Sequence, residues 1–281
     1  MSRLVAQRIG FAFLTVVTIL VVLPIVVVVG AIVAQGAAAI NWEFLTAAPR
    51  DGLRAGGIWP AIVGTFWLTI GTAIFSVPLG VAIAIYLSEY ARDNAFTRLI
   101  RLAIVNLAGI PSVVYGLFGL GLFVLALRFG SSILAGSLTL SIMTLPIIIS
   151  TSEEALRSVP ESFRTVSVSL GGTKWQTIRK IVLPQALPGI LTGVILGLER
   201  AAGETAPILF TAAAVFLPQL PSSIFDKTMA LPYHLFVIST QVPGMPVQIQ
   251  FGTALVLLVF VLTMNFGAAT IRSYYRRKRQ W

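Results

Sequence analysis

Residues 150–190 read STSEEALRSVPESFRTVSVSLGGTKWQTIRKIVLPQALPGI, a polar interruption between two apolar stretches of the chain. The segment punctuates itself into short helices. Pro160 suits a first helical position, Phe163, Val166 and Leu170 fall at helical spacing on one face, and Gly171 and Gly172 supply the positive φ that closes a helix. Thr173-x-x-Gln176 then has the form of a capping box, in which two side chains satisfy orphan backbone donors reciprocally. A second helix is expected through Ile178 to Leu183, ended by Pro184. The product is a helix, a glycine corner and another helix. Such a unit either lies in a lipid interface as an amphipathic connector or projects as a rigid knob for another protein.

The surroundings decide the fold class. The chain of 281 residues is 57% hydrophobic and 11% charged, with mean hydropathy +0.91, which is the composition of an integral membrane protein. Six stretches, about 11–34, 60–87, 102–127, 133–151, 187–216 and 251–271, are long enough as helices to cross a core of ~30 Å. The first is too long, and too poor in cleavage-site features, for a removed signal peptide. An all-α membrane domain with six transmembrane helices is therefore expected. Residues 1–59 would form an N-terminal membrane helix and external loop, 60–271 the core and 272–281 a basic tail.

The chain has no cysteine and one histidine, His234. That excludes disulfides, thiol catalysis and multi-histidine metal sites, and no catalytic residue or metal ligand is assigned. His234 itself reads as an interfacial polar group. The formal charge of +10 is explained by topology. Arg3, Arg8, Arg92, Arg98, Arg101, the basic residues of 157–180 and the tail RRKRQW (276–281) all gather on one side. The positive-inside rule puts that side, and both termini, in the cytoplasm. The external segment 217–249, rich in proline and aromatics, should form short lids or a surface helix.

One apolar stretch carries charges that need a reason. LGLERAAGETAPIL (196–209) places Glu199, Arg200 and Glu204 inside a span, where an Arg or Asp costs ~2.5 to 3.5 kcal/mol even on a lenient scale. Gly189, Gly193, Gly197 and Ala201 recur every fourth residue as a small-residue packing stripe. Arg200 and Glu204 lie within roughly 60° of Gly197 on the helical wheel, and Glu199 nearly opposite. Arg200 stands about 18 Å beyond Pro188, past the midplane. Its planar fork of donors suits an oxyanion, and Glu204 would hold the fork when no substrate is present. Pro207 frees the carbonyl of Gly203, so the helix would break between Gly203 and Pro207 and aim a start at Thr205–Pro207 toward the anion. The stretch sums to a net negative charge, which requires either a protonated carboxyl or positive charge from another subunit. Pro111 and Pro146 should kink the third and fourth spans.

The sequence resembles permease subunits of bacterial ABC importers in Gly171 followed after nine residues by IVLP (181–184). Where that signature has Glu-Ala-Ala, this chain has Thr165, Val166 and Ser167. GIPSVVYGLF (109–118), LRSVPESFR (156–164), LPQALPGILTG (183–193) and RAAGETAPIL (200–209) are together similar to phosphate importer permeases. GETAP (203–207) and LPYHLF (231–236) resemble the PstA-type more than the sister PstC-type subunit. The resemblance implies the type I ABC importer permease fold, with coupling helices at about 160–183 that dock on an ATPase. It marks Phe163, Arg164, Leu170, Gly171, Gly172, Thr173, Lys174 and Trp175 as coupling residues. Arg200, Glu204, Glu199, Thr205, Ser112 and Tyr115 are the pathway candidates. It implies a bacterial inner-membrane subunit working with a PstC-type permease, a PstB-type ATPase dimer and a PstS-type periplasmic phosphate-binding protein. The chain has no phosphate-binding loop of the G-x-x-x-x-G-K-[ST] form, so ATP and Mg belong to the partner ATPase and no cofactor is expected on this chain.

Two other functions compete. A proton-coupled secondary transporter would use Glu199 and Glu204 as carriers but would leave the docking corner without a purpose. An intramembrane serine protease pairing a serine with His234 lacks any G-x-S-x-G context. Within the family, the sister subunit or a permease for another oxyanion remains the nearest alternative.

Overall fold

The computed structural model describes residues 3–277 and is built almost wholly of helices. In chain order these are α1 (Arg3–Gly36), α2 (Trp42–Thr46), α3 (Trp59–Ile85), α4 (Ala95–Ala108), α5 (Ser112–Gly119), α6 (Ile133–Arg157), α7 (Glu161–Ser169), α8 (Lys174–Thr177), α9 (Leu183–Gly203), α10 (Ala206–Thr211), α11 (Leu231–Thr240) and α12 (Val247–Arg277). A two-stranded antiparallel hairpin, β1 (Pro49–Arg50) with β2 (Ala55–Gly56), precedes α3. The last residues of the basic tail, Lys278 and Arg279 among them, lie outside the described residues.

Among the described residues, five helices are long and apolar enough to cross a membrane, or six if the bent pair α4–α5 is one span. The kink expected at Pro111 in the third span is present and far sharper than a proline bend, with α4 and the α5 segment turned by 102°. The sequence Gly109-Ile110-Pro111 makes the corner, because Pro111 disfavours helical backbone before it and then leads into α5 at φ −56, ψ 139. The Tyr115 hydroxyl donates to the Leu107 carbonyl at 2.7 Å, satisfying a group that the end of α4 leaves open.

α3, α6 and α9 form the packed centre. Within a bilayer, close approach of backbones replaces hydrophobic collapse as the source of packing, and the three helices meet through small residues. A Cβ on Gly71 would overlap the Ser137 side chain, one on Gly80 would reach Ile148 Cγ2 at 2.7 Å, and one on Gly197 would touch Ile148 Cγ1 at 3.0 Å. Along α9, Gly189 abuts Ala155 and Gly193 abuts Thr151, so the fourfold stripe faces α6. The hydroxyls in this seam are turned onto backbone. Thr65, Thr69 and Thr72 donate to carbonyls four residues back, and Ser141 Oγ lies 2.6 Å from Ser137 O and 3.2 Å from Thr72 O. α6 runs unbroken through Pro146. α1 stands apart, its side chains from Ile9 to Val28 largely exposed, and meets α12 where Gly36 abuts Phe251 and Gly252.

Three π-helical turns interrupt the helical register, at Tyr86–Tyr90, Leu120–Ala126 and Ile178–Val182. The last corrects the expectation that Pro184 ends a helix. The Leu183 amide donates to Ile178 O five residues back, and this widened turn makes room for the proline ring in the first turn of α9. A near-continuous helix therefore runs from Lys174 to Gly203.

At the end opposite α7 and α8, segment 217–249 is more than a surface lid. α11 is largely buried, with Leu231 and Ile238 at 0% exposure, and its Leu231 amide donates to Thr65 Oγ1 of α3 at 2.8 Å. His234 is buried at 3% rather than interfacial, because α11 turns inward against α3 and α12. Neighbouring chain is pinned by Ser132 N–H to Thr211 O, Ile133 N–H to Asp226 O and Leu134 N–H to Ile224 O, each 2.8 to 2.9 Å.

Candidate functional site

α9 ends at Gly203, and Glu204 adopts extended backbone at φ −77, ψ 135 before α10 begins. The break falls at Glu204–Thr205, ahead of Pro207, which then sits in the first turn of α10 where its missing N–H costs little. α10 has six residues and is too short to focus much positive potential at Thr205–Pro207. The cation at the break is Arg200. Its Nε donates to Glu204 Oε1 at 3.3 Å, and the side chains are 35% and 17% exposed. This is one long contact rather than a two-pronged clamp, and the remaining guanidinium donors have no hydrogen-bond partner among the described residues.

α5 is wedged against the same break. A Cβ on Gly116 would meet Ala206 O and the Pro207 Cα at 3.0 Å, and Gly119 abuts Thr139 and Thr211. Tyr115, next to Gly116 on this helix, is only 5% exposed. Ser112 begins α5, half-buried. Arg200, Glu204, Thr205 and Tyr115 thus surround one interruption in α9–α10, with Ser112 one turn away on α5. Glu199 is separate: its Oε1 is buried with no hydrogen-bond partner among the described residues.

The second site is the corner at the other end of the molecule. α7 closes through Gly171 at φ +81, with Gly171 N–H donating to Val168 O and Gly172 N–H to Ser167 O. Gly172 has no room for a side chain, since a Cβ would sit 2.8 Å from Ser167 O. The capping box is complete: Gln176 N–H donates to Thr173 Oγ1 at 3.3 Å and Thr173 N–H to Gln176 Oε1 at 2.9 Å. Ser167, one of the residues in place of Glu-Ala-Ala, hydrogen-bonds Thr177 across the corner at 2.7 Å. Outward the corner is apolar. Leu170 is 84% exposed and Trp175 53%, and an open cleft of about 490 Å³ lined by Phe163, Val166, Leu170, Gln176 and Ile181 lies beside them.

Arg164 does not share that outward face. It is 16% exposed and donates through Nη2 and Nε to the two carboxylate oxygens of Glu89 at 2.8 and 3.2 Å, and to the carbonyls of Leu156 and Val159. Hydrogen bonding to Glu89 raises Arg164 further above its ordinary value, so the guanidinium stays charged. Lys174 is exposed, and its Nζ lies 4.9 Å from the Tyr90 ring centre.

Residues 76–280 match the family model described as binding-protein-dependent transport system inner membrane component. The chain belongs to that family. It is the membrane component of such a system, distinct from the ATP-hydrolysing part. Among relatives of this inner membrane component, the phosphate transport system permease protein PstA of Mycobacterium leprae is 36% identical over 257 residues, 89% of this chain and 84% of its own. The probable ABC transporter permease protein YqgI of Bacillus subtilis is 32% identical over 88% of both chains. The fold is shared with a chain of a bacterial ABC transporter involved in the import of the acidic polysaccharide alginate, with TM-score 0.66, 15% identity and coverage of 94% of this chain and 97% of that one.

Within this inner membrane component, sequence reasoning missed Glu89 and the pair Arg101–Glu153, whose side chains meet at 2.9 Å. Glu89 sits in YLSEYARD (86–93) with no motif around it. The one available signal was an acid placed at the end of a span, with Arg92, Arg98 and Arg101 following it.

Proposed function

We propose that this chain is the PstA-type permease subunit of an ATP-driven phosphate importer. One observation carries the substrate: the relative from Mycobacterium leprae, named a phosphate transport permease, aligns over 89% of this chain. The geometry supplies a chemistry that fits. A single fork of donors, held by one contact to Glu204, stands at the only break in α9–α10 among the described residues and retains free N–H groups. Phosphate oxygens compete with a carboxylate for a guanidinium on equal geometric terms, so the anion displaces Glu204 as it arrives and Glu204 recaptures Arg200 as it leaves. Tyr115 and Thr205 flank that exchange, and a second, PstC-type permease completes the conduit.

The α7–α8 end faces the cytoplasm in this reading, as do both termini, and the apolar cleft beside Leu170 receives a PstB-type ATPase dimer that binds ATP and Mg. A PstS-type binding protein delivers phosphate from the periplasm to the opposite end. The test is uptake of radiolabelled phosphate by proteoliposomes containing the co-purified complex. Arg200→Ala should lower uptake about a hundredfold or more with assembly intact, the scale of losing a charge-assisted recognition, and Arg200→Lys should recover part of it. Wild-type uptake by the alanine variant refutes the role of Arg200, and absence of uptake by the wild-type complex refutes phosphate.

A further inference from the structure

The turn Tyr86–Tyr90 at the end of α3 is held by three separate elements. Glu89, whose side chain is 7% exposed, takes both prongs of Arg164 from α7. Tyr90 lies under the Lys174 ammonium of α8. The Leu87 carbonyl accepts from Arg101 Nη2 of α4 at 2.9 Å, and Arg101 is itself paired with Glu153 of α6. The turn is π-helical, with Ala91 N–H bonded to Tyr86 O five residues back, and such turns mark places where a helix can change register.

Covalently, the corner is connected to the bundle through α6 on one side and α9 on the other. Neither path includes α3, yet α3 is packed against α6 along most of its length and contributes Gly71, Thr72 and Gly80 to the central seam. The two-pronged Arg164–Glu89 contact is the stiffest link available between the corner and α3, because a planar fork on a carboxylate fixes orientation as well as distance. Most of the Arg164 donor capacity is spent inside the subunit.

We infer that Glu89 is a positioning residue for transport: it fastens the corner to α3, so that displacement of α7 and α8 by the ATPase is delivered to α3 directly as well as through α9. This inference rests on the importer reading above. It assigns Arg164 to force transmission rather than to ATPase contact, and it makes Glu89→Gln a substitution that separates ATP hydrolysis from movement of the membrane helices.

The experiment uses the assembled complex with partner cysteines replaced; this chain has none of its own. Spin labels at Leu79→Cys on α3 and Leu262→Cys on α12, both at exposed positions, report the distance between the helices with and without trapped ATP. Phosphate uptake and ATP hydrolysis are followed in parallel. The wild-type distance should shift on trapping. With Glu89→Gln the shifted population should fall severalfold, and phosphate moved per ATP should drop about tenfold, the scale of a lost coupling between sites, while the ATPase still co-purifies. Glu89→Asp, which keeps the carboxylate on a shorter arm, should lie between the two and carries the test alone if the glutamine variant does not assemble. A full distance shift in Glu89→Gln, or in Glu89→Asp standing alone, overturns the inference, as does a wild-type pair that never shifts. A wild-type complex that shifts on ATP but takes up no phosphate refutes the substrate, and the distances still decide the role of Glu89.

Discussion

The hydroxyls of Ser167 and Thr177 meet at 2.7 Å in the buried crook between α7 and α8. Thr177 also bonds the Thr173 carbonyl, so this one contact joins the end of the first helix to the cap of the second. Ser167→Ala removes it without adding volume and should cost about 1 kcal/mol locally, the net worth of a typical hydrogen bond. Amide exchange at Gly172 and Thr173 is then expected to quicken roughly fivefold. Exchange unchanged at those amides would show that the glycine turn and capping box suffice alone.

Gly171 and Gly172 should respond differently to substitution. Gly171 faces open space but sits at φ +81, so Gly171→Val meets only the backbone penalty of a left-handed residue, which is at least ~1 to 2 kcal/mol. ATPase co-purification should weaken with the membrane domain still folded, and Gly171→Asn should be tolerated better. Gly172→Ala has ordinary φ but drives its Cβ into Ser167 O, and should shift the corner as a unit. Thermal melts of the two variants in detergent, compared with their ATPase recovery, separate the effects.

Gly193 is filled from across the seam by Thr151, whose Oγ1 and Cβ both lie where a new Cβ would go. Gly193→Ala should destabilise the subunit by about 1 to 3 kcal/mol through overpacking. Adding Thr151→Gly removes both clashing atoms and should restore a monodisperse elution profile. If the single variant behaves as wild type, the helices are not in the close contact described.

Asp226 caps its own loop, accepting from the amides of Ser222 and Ser223 and from the Ser222 hydroxyl. These bonds, the Ser222 amide foremost, hold its carboxyl below the ordinary value. A depressed folded-state pKa means the stabilisation is complete above the unfolded value of about 3.9 and is lost as pH falls through the lower folded value. The loop should therefore resist proteolysis unchanged from pH 8 to pH 5 and loosen only in stronger acid. Asp226→Asn should be cut faster throughout pH 5 to 8, with the difference closing in stronger acid, and equal cleavage of both proteins at neutral pH would remove this role.

The features legible in the sequence were those whose physics is local. The Thr173–Gln176 box and the φ of Gly171 involve partners within four residues, and the stripe from Gly189 to Ala201 is a periodicity that one helix displays on its own. The break between Gly203 and Pro207 was also visible, and the interruption at Glu204–Thr205 falls inside it. What escaped was decided across the fold. Pro184 reads as a stop unless a π-turn opens the preceding coil, the kink at Pro111 was legible but not its 102° size, and His234 is buried because α11 packs on α3. Arg164 was assigned to an outward surface because its partner, Glu89, lies 75 residues away.

The Arg200–Glu204 contact lies within one stretch of chain, four residues apart. A cation neutralised by its own near neighbour needs no companion protein to enter the bilayer, and the translocon meets the two charges almost together. The counter-charge of Arg200 is thus carried in by the same turn of chain, which lowers the cost of placing that guanidinium in the membrane.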